Sequence, residues 1–167
     1  MRLRPPTFDD VDALVAAADD DPANMGLGGG DAARRRLRGQ VERPPTLEDD
    51  GLLGLVVEHE GRLVGDIQAR APKHGMPPGG CEIGIALFAE ARGLGIGREA
   101  VALFTGYLLE AGFHRVQATT AADNTAMRRV LEHAGYAFEG ILRDYGPTDG
   151  GSREDYAMYS FTARRRN

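Results

Sequence analysis

The sequence predicts an α/β (α+β) domain with a mixed, mostly antiparallel sheet of six to seven strands and about four helices. Three observations predict it. Short β-rich runs and longer runs with apolar residues at helical spacing are interspersed along the chain. Two of the β-rich runs, 52–60 and 62–70, are hinged at Glu60-Gly61 and read as an antiparallel hairpin. A strand pattern over Cys81 to Leu87 is followed by a glycine-rich bend over 92–97, which runs directly into a helical pattern over 98–112.

The elements follow in order. Met1 to Pro5 makes a short edge strand. Thr7, three residues before Asp10, opens a capping box and a helix through about Ala18. Asp19 to Gly30, rich in Asp, Pro and Gly, reads as a loop. Asp31 caps a second helix to about Val41, whose surface carries Arg34, Arg35, Arg36 and Arg38. That arginine run is a solvated helix face or the lip over an anionic group. Ala71 to Gly80 holds prolines and glycines that do not support regular structure.

In the strand from Cys81 to Leu87, alternation puts Cys81, Ile83, Ile85 and Leu87 on a core face. Glu82, Gly84 and Ala86 fall on the other, nearly bare face. Val101, Phe104 and Leu108 give the next helix its apolar stripe, and Gly112 stands where it would end. Arg115 to Thr120 is a strand. Asn124 caps a helix striped by Met127, Val130, Leu131 and Ala134 and ended by Gly135. Tyr136 to Leu142 and Arg153 to Phe161 are two closing strands, with Gly146 to Gly151 as the turn region. No repeat or linker divides the chain, so residues 1–167 read as one domain.

Composition narrows the function. The 167 residues are 42% apolar and 27% charged, with a net charge of -5. That balance argues against a nucleic-acid partner, which requires a basic face, and suits a cationic substrate. One cysteine, Cys81, excludes an internal disulfide and fits a reducing compartment. The first ten residues lack a signal-peptide core, and no apolar run approaches a membrane span, so a cytoplasmic setting is expected. His59, His74, His114 and His133 are scattered without ligand spacing to Cys81, and no metal site is expected.

The chemistry points to the bend. A strand, a glycine-rich turn and a helix leave bare backbone N–H groups at the positive end of the helix dipole, a ready anion site. Gly93, Gly95 and Gly97 let an anion close to the main chain, and Arg92 supplies a planar cationic fork. A nucleoside-triphosphate loop would need Gly-Lys and then Ser or Thr, but Gly97 is followed by Arg98 and Glu99. A dinucleotide fingerprint counted from Gly93 and Gly95 would want glycine at position 98.

Arg92, Gly95 and Gly97 fit Arg/Gln-x-x-Gly-x-Gly/Ala, and here the chain resembles the GNAT superfamily of acetyl-CoA-dependent N-acetyltransferases. A second motif of that family, built on an asparagine helix about 30 residues on, reads here as Asn124, Met127, Leu131, Glu132, Gly135 and Tyr136. Gly135 to Arg143 and Asp155 to Tyr159 look like the branch of ribosomal-protein N-terminal (alanine) acetyltransferases. The resemblance implies a central sheet splayed between its two middle strands. It implies acetyl-CoA as cosubstrate, its pyrophosphate on Arg92, Gly93, Leu94, Gly95, Ile96, Gly97 and Arg98. Backbone at Leu87 and Phe88 would pair with the pantetheine arm, and Asn124 would approach it, a role compatible with capping its helix.

The implied reaction moves an acetyl group directly to a primary amine in a ternary complex. Such an amine is mostly protonated at neutral pH and needs a base. Glu82, on the open strand face, is the candidate base, against a plain cross-strand role. A backbone N–H near Leu87 would serve the oxyanion. The motif position where many members carry a tyrosine acid holds Leu131, and Met127 and Tyr136 do not replace it. Tyr156, Tyr159 and Asp155 read first as strand residues and second as an acceptor lining. The acceptor is a protein N-terminus or a small-molecule amine, including an antibiotic. A non-catalytic CoA-binding module is the alternative class. No feature sets the oligomeric state, which leaves a homodimer open.

Overall fold

A computed structural model describes residues 1–21, 30–48, 51–71, 76–148 and 151–163. Its strands are β1 (Arg2–Arg4), β2 (Leu52–His59), β3 (Arg62–Arg70), β4 (Gly80–Leu87), β5 (Arg115–Ala121), β6 (Ala137–Pro147) and β7 (Arg153–Thr162). Its helices are α1 (Phe8–Asp20), α2 (Gly30–Glu42), α3 (Ile96–Glu110) and α4 (Thr125–His133), with a 3-10 turn at Ala89–Ala91. The seven strands form one sheet in the order β1-β2-β3-β4-β5-β7-β6. Every neighbouring pair is antiparallel except β4 with β5.

The elements match the sequence pattern closely, and the differences have local causes. Helix α1 continues to Asp20 rather than Ala18, and α2 begins at Gly30, which puts Asp31 in its first turn. Helix α3 begins at Ile96 instead of Arg98, because Gly95 sits in the left-handed region at φ 84° and serves as its N-cap. Strand β6 runs on to Pro147, through what reads as turn. It is an edge strand interrupted by two register shifts, so its alternation is irregular and a proline is tolerated. The 3-10 turn has no periodic signal. Residues 22–29, 72–75 and 149–150, parts of three expected loops, lie outside the described residues.

Two apolar clusters sit on opposite faces of the sheet. On one, Val101, Phe104 and Leu108 of α3 pack against Ile67, Cys81, Val116 and Ala157 of the central strands. Leu131 of α4 joins them. On the other, Val11, Leu14 and Val15 of α1 with Ala33 and Leu37 of α2 cover Val56 of β2. Strand β4 follows the expected alternation at Cys81 and Ile83, both buried. Beyond them Ile85 and Leu87 are only half-buried, while Ala86 is buried. The change begins where β4 parts from β5.

The α1 start is locked electrostatically. Asp10 Oδ2 accepts from the Thr7 N–H and hydroxyl, each at 2.7 Å, the carboxylate half of the expected capping box. Arg4 binds the same carboxylate bidentately at 2.7 and 2.9 Å and donates to Glu58 at 2.8 Å, tying β1, α1 and β2 together. The Arg4 hydrogen bonds hold the Asp10 carboxyl down at about 2. A depressed carboxyl stabilises the fold above its unfolded pKa and loses that contribution as pH falls through the folded value. Asp10→Asn is therefore expected to cost about 2 kcal/mol at pH 7 and little near pH 2. Urea unfolding at both pH values checks this.

Candidate active site

The parallel contact between β4 and β5 is short. Only Gly80↔Arg115, Cys81↔Val116 and Glu82↔Gln117 are paired. From there β5 keeps its full ladder with β7, through Ala121↔Tyr156, and β4 keeps its ladder with β3, through Leu87↔Gly65. The two central strands thus splay, leaving a wedge bounded by Ile83 to Leu87 on one side and Ala118 to Ala121 on the other. Its open end faces the start of α3, because β4 runs through the 3-10 turn into the glycine bend.

At the mouth, Gly93, Leu94 and Gly95 are exposed, with Gly93 at φ 75°. A Cβ added at Gly93 or Gly95 would meet nothing within 4 Å, so the main chain there lies open. The first bond of α3 from outside its body runs from Glu99 N–H to Gly95 O at 3.2 Å. The N–H groups before it belong to the four that a helix start cannot satisfy internally. Ile96 and Gly97 are buried, and Gly97 lies against Leu87 and Val130, where an added Cβ would be 3.5 Å from each. The bend is therefore seated firmly on its inner side and bare on its outer side, the arrangement that an oxyanion-rich ligand requires.

Arg92 takes a different posture from the one expected of an anion clamp. Its Nε and Nη2 donate to Leu87 O at 2.9 and 2.7 Å, and Nη2 pairs with Asp21 at 2.5 Å. The charge stays at the mouth, but it is turned onto the strand end. Phe88 has its N–H committed to Val64 O, and its carbonyl accepts from Ala91, each at 2.9 Å. Its ring packs with the α1–α2 cluster. Arg98 is exposed in the first turn of α3. Asn124 caps α4, its Oδ1 accepting from Met127 N–H at 3.0 Å.

Glu82 lies at the apex of the wedge. Its carboxylate accepts from Gln117 Nε2 and Thr119 Oγ1 of β5, both at 3.1 Å. Gln117 is in turn held through Oε1 by Arg115 Nε at 3.3 Å. Arg115 is clamped bidentately by Glu139 at 2.8 and 2.5 Å, and Ser160 donates to the same carboxylate at 2.6 Å. This polar strip crosses the sheet from β6 to β4 on the face opposite α3. It fixes where the Glu82 carboxylate points. Gln117 and Thr119 have no motif to announce them; alternation in β5 places them on one face, but only the tertiary pairing of β4 with β5 brings them to Glu82.

The tyrosines stand elsewhere. Tyr159 is fully buried, and its hydroxyl accepts from Arg128 at 3.0 Å and donates to Glu132 at 2.9 Å. The Tyr136 hydroxyl shares a 2.7 Å hydrogen bond with Thr105, and burial pushes its pKa upward. Leu131 is buried in the core. Tyr156 is half-buried against Tyr145, and Asp155 accepts from Asp144 N–H at 3.0 Å. Of the arginine run on α2, Arg34 pairs with Asp12, and Arg36 reaches the rim of a cavity.

That cavity, of about 210 Å³, lies between the α1–α2 pair and strands β2 and β3. Asp66, Gln68 and Arg70 line it from β3, and they are the register partners of Ala86, Gly84 and Glu82. Cavity and Glu82 therefore share one face of the sheet. A larger cavity of about 730 Å³ includes Gly80, Tyr107, Ala111 and Phe113, at the start of β4 and the end of α3, away from the bend. Among the described residues no group of three His, Cys, Asp or Glu is placed to hold a metal ion. Nor, among them, is any helix long and apolar enough to cross a membrane.

The family model described as an Acetyltransferase (GNAT) domain matches residues 1–137. A mycothiol acetyltransferase of Cellulomonas flavigena is 30% identical over 118 residues, 66% of this chain. The match spans only 33% of that relative's length. Among solved structures, Mycobacterium smegmatis RimJ in complex with CoA-disulfide is similar with a TM-score of 0.78 and 25% identity, over 98% of this chain and 82% of that one. A ribosomal-protein-alanine N-acetyltransferase from Brucella melitensis shares the fold, with a TM-score of 0.77 and 24% identity over 98% of this chain and 100% of that one.

Proposed function

Because the chain belongs to the GNAT acetyltransferase family, we propose that it moves an acetyl group from acetyl-CoA to a primary amine by direct transfer in a ternary complex. The observation that carries this reading is the wedge: two central strands parted beyond Glu82↔Gln117, a carboxylate at the apex and a bare helix start at the mouth. The N–H groups from Gly93 to Arg98 would take the pyrophosphate, with Arg92 swung from Leu87 O. Free strand edges along the wedge, Leu87 included, would pair with the amides of the pantetheine arm. Asn124 would border that arm while keeping its cap. Phe88, with its N–H already spent, would contribute shape.

Acetyl-CoA supplies the activated acyl group. Glu82, directly or through a water, takes the proton that the attacking amine must shed, while a backbone N–H near Leu87 faces the developing oxyanion. The nitrogen–carbon bond forms, the carbon–sulfur bond breaks, and the proton ends on the departing thiolate by way of solvent. No tyrosine is assigned to that last step, since Leu131 fills the motif position. The proposed setting is the cytoplasm, in keeping with one buried, unpaired cysteine.

The first acceptor is a peptide N-terminus, by likeness to the Brucella protein, which is named for ribosomal-protein alanine; the Cellulomonas relative is named for mycothiol and keeps a small-molecule amine as the second. Thiol release from acetyl-CoA should require an added amine and fall to background when a peptide's N-terminus is blocked. Binding of acetyl-CoA without release on any amine would leave a non-catalytic CoA-binding module instead.

A further inference from the structure

Glu82 stands between two claimants. On β3 its register partner is Arg70, directly opposite and on the same face of the sheet. Side chains so placed have Cβ atoms roughly 5 Å apart, and a guanidinium facing a carboxylate across that gap ordinarily closes on it. Here it does not. Arg70 is exposed and, among the described residues, makes no hydrogen bond and no ion pair. The Glu82 carboxylate is turned the other way, onto the Gln117 amide and the Thr119 hydroxyl of β5.

The reason lies in the order of donors and acceptors along the polar strip. Glu139 only accepts and Arg115 only donates, so the Gln117 amide must show its oxygen to Arg115 and its NH2 group to Glu82. An amide without that anchor is free to present its oxygen, which repels a carboxylate. Arg115, with Ser160, holds the Glu139 carboxyl down at about 2, so the anchor keeps its charge through the neutral range. Gln117 takes Glu82 Oε2 and Thr119 takes Oε1. Donors to both oxygens from one side fix the rotation of the carboxylate and leave its remaining lone pairs turned away from β5.

We propose that Gln117, oriented by the Arg115–Glu139 pair, is the positioning residue that keeps Glu82 off Arg70 and so leaves it able to take a proton. The inference rests on the transferase reading above and adds to it the side chains that hold the base. A carboxylate closed onto a guanidinium has its oxygens engaged and its charge balanced, which makes it a poor acceptor for an amine's proton. The ion pair touches no reacting atom and acts only through the amide of Gln117.

Gln117→Leu keeps most of the side-chain bulk and removes its donor, which leaves a single neutral hydroxyl against Arg70. In a crystal structure of that variant the Glu82 carboxylate should lie within about 4 Å of the Arg70 guanidinium. In thiol release, kcat should fall about tenfold with KM for acetyl-CoA within a factor of about two, the scale of a lost hydrogen bond to a charged group. Arg70→Gln alone should leave kcat within a factor of about two, and added to Gln117→Leu it should restore kcat about threefold. A merely structural role for Gln117 gives no such rescue. Arg115→Met should move the carboxylate the same way, lower kcat about threefold and add nothing to Gln117→Leu, because both act through one amide. It carries both measurements should Gln117→Leu fail to fold. A Glu82 carboxylate that stays on β5 in the variants, or a loss that Arg70→Gln does not relieve, overturns the proposal. No thiol release from the wild-type chain would instead defeat the transferase reading, and the variant structures would still decide which strand holds Glu82.

Discussion

Glu82→Gln is expected to lower kcat about a hundredfold at pH 7 while leaving acetyl-CoA affinity within a factor of about two, the scale at which a positioned general base acts. The substitution keeps the size of the side chain and one acceptor oxygen for Thr119 and Gln117, so the sheet pairing at the apex survives. What disappears is the capacity to take a proton. An aliphatic acceptor amine has a pKa near roughly 10.4, and below that value its neutral fraction falls about tenfold for each unit that pH drops. The deficit should therefore be greatest at low pH and narrow as pH climbs toward 10. A pH–rate profile parallel to wild type would remove Glu82 as the base and leave it as a cross-strand acceptor for β5.

Gly95→Val is expected to weaken acetyl-CoA binding at least about tenfold, through loss of hydrogen bonds from main-chain N–H groups to a charged ligand. Two effects add. The added side chain covers main chain that is now open, and a β-branched residue resists the φ of 84° that starts α3 at Ile96. The strain alone costs about 1 to 3 kcal/mol of stability. Thermal melting of the free variant separates that cost from binding, which is measured by calorimetry well below its midpoint. Unaltered affinity in a folded variant would remove the bend from the donor site.

Much of this architecture is legible in the residues. Glu60-Gly61 gives the β2–β3 hairpin, and both residues have positive φ, as a two-residue turn requires. Asn124 and the α4 stripe sit where spacing puts them, because caps and periodicity are local chemistry. Glu82 is legible as an acid on an open strand face, but its partners are not. Gln117 and Thr119 are 35 and 37 residues away, and no local pattern encodes which strand β4 joins in parallel. The posture of Arg92 also depends on tertiary structure, since Leu87 O and Asp21 compete for a guanidinium that spacing alone assigns to an anion.

The three-pair contact between β4 and β5 has a further consequence. Sheets ordinarily carry their unpaired N–H and C=O rows at the outer margins, where another chain can add to them. Here two such rows lie in the middle of the sheet and face each other across a narrowing gap. Water can satisfy them there, but a second folded sheet cannot enter. In the free protein the Ile83 to Leu87 amides turned into the gap should exchange hydrogen faster than those of the paired segment Gly80 to Glu82. The molecule thus shields its stickiest backbone from its neighbours and keeps it available to one kind of visitor, a thin extended chain with amides of its own.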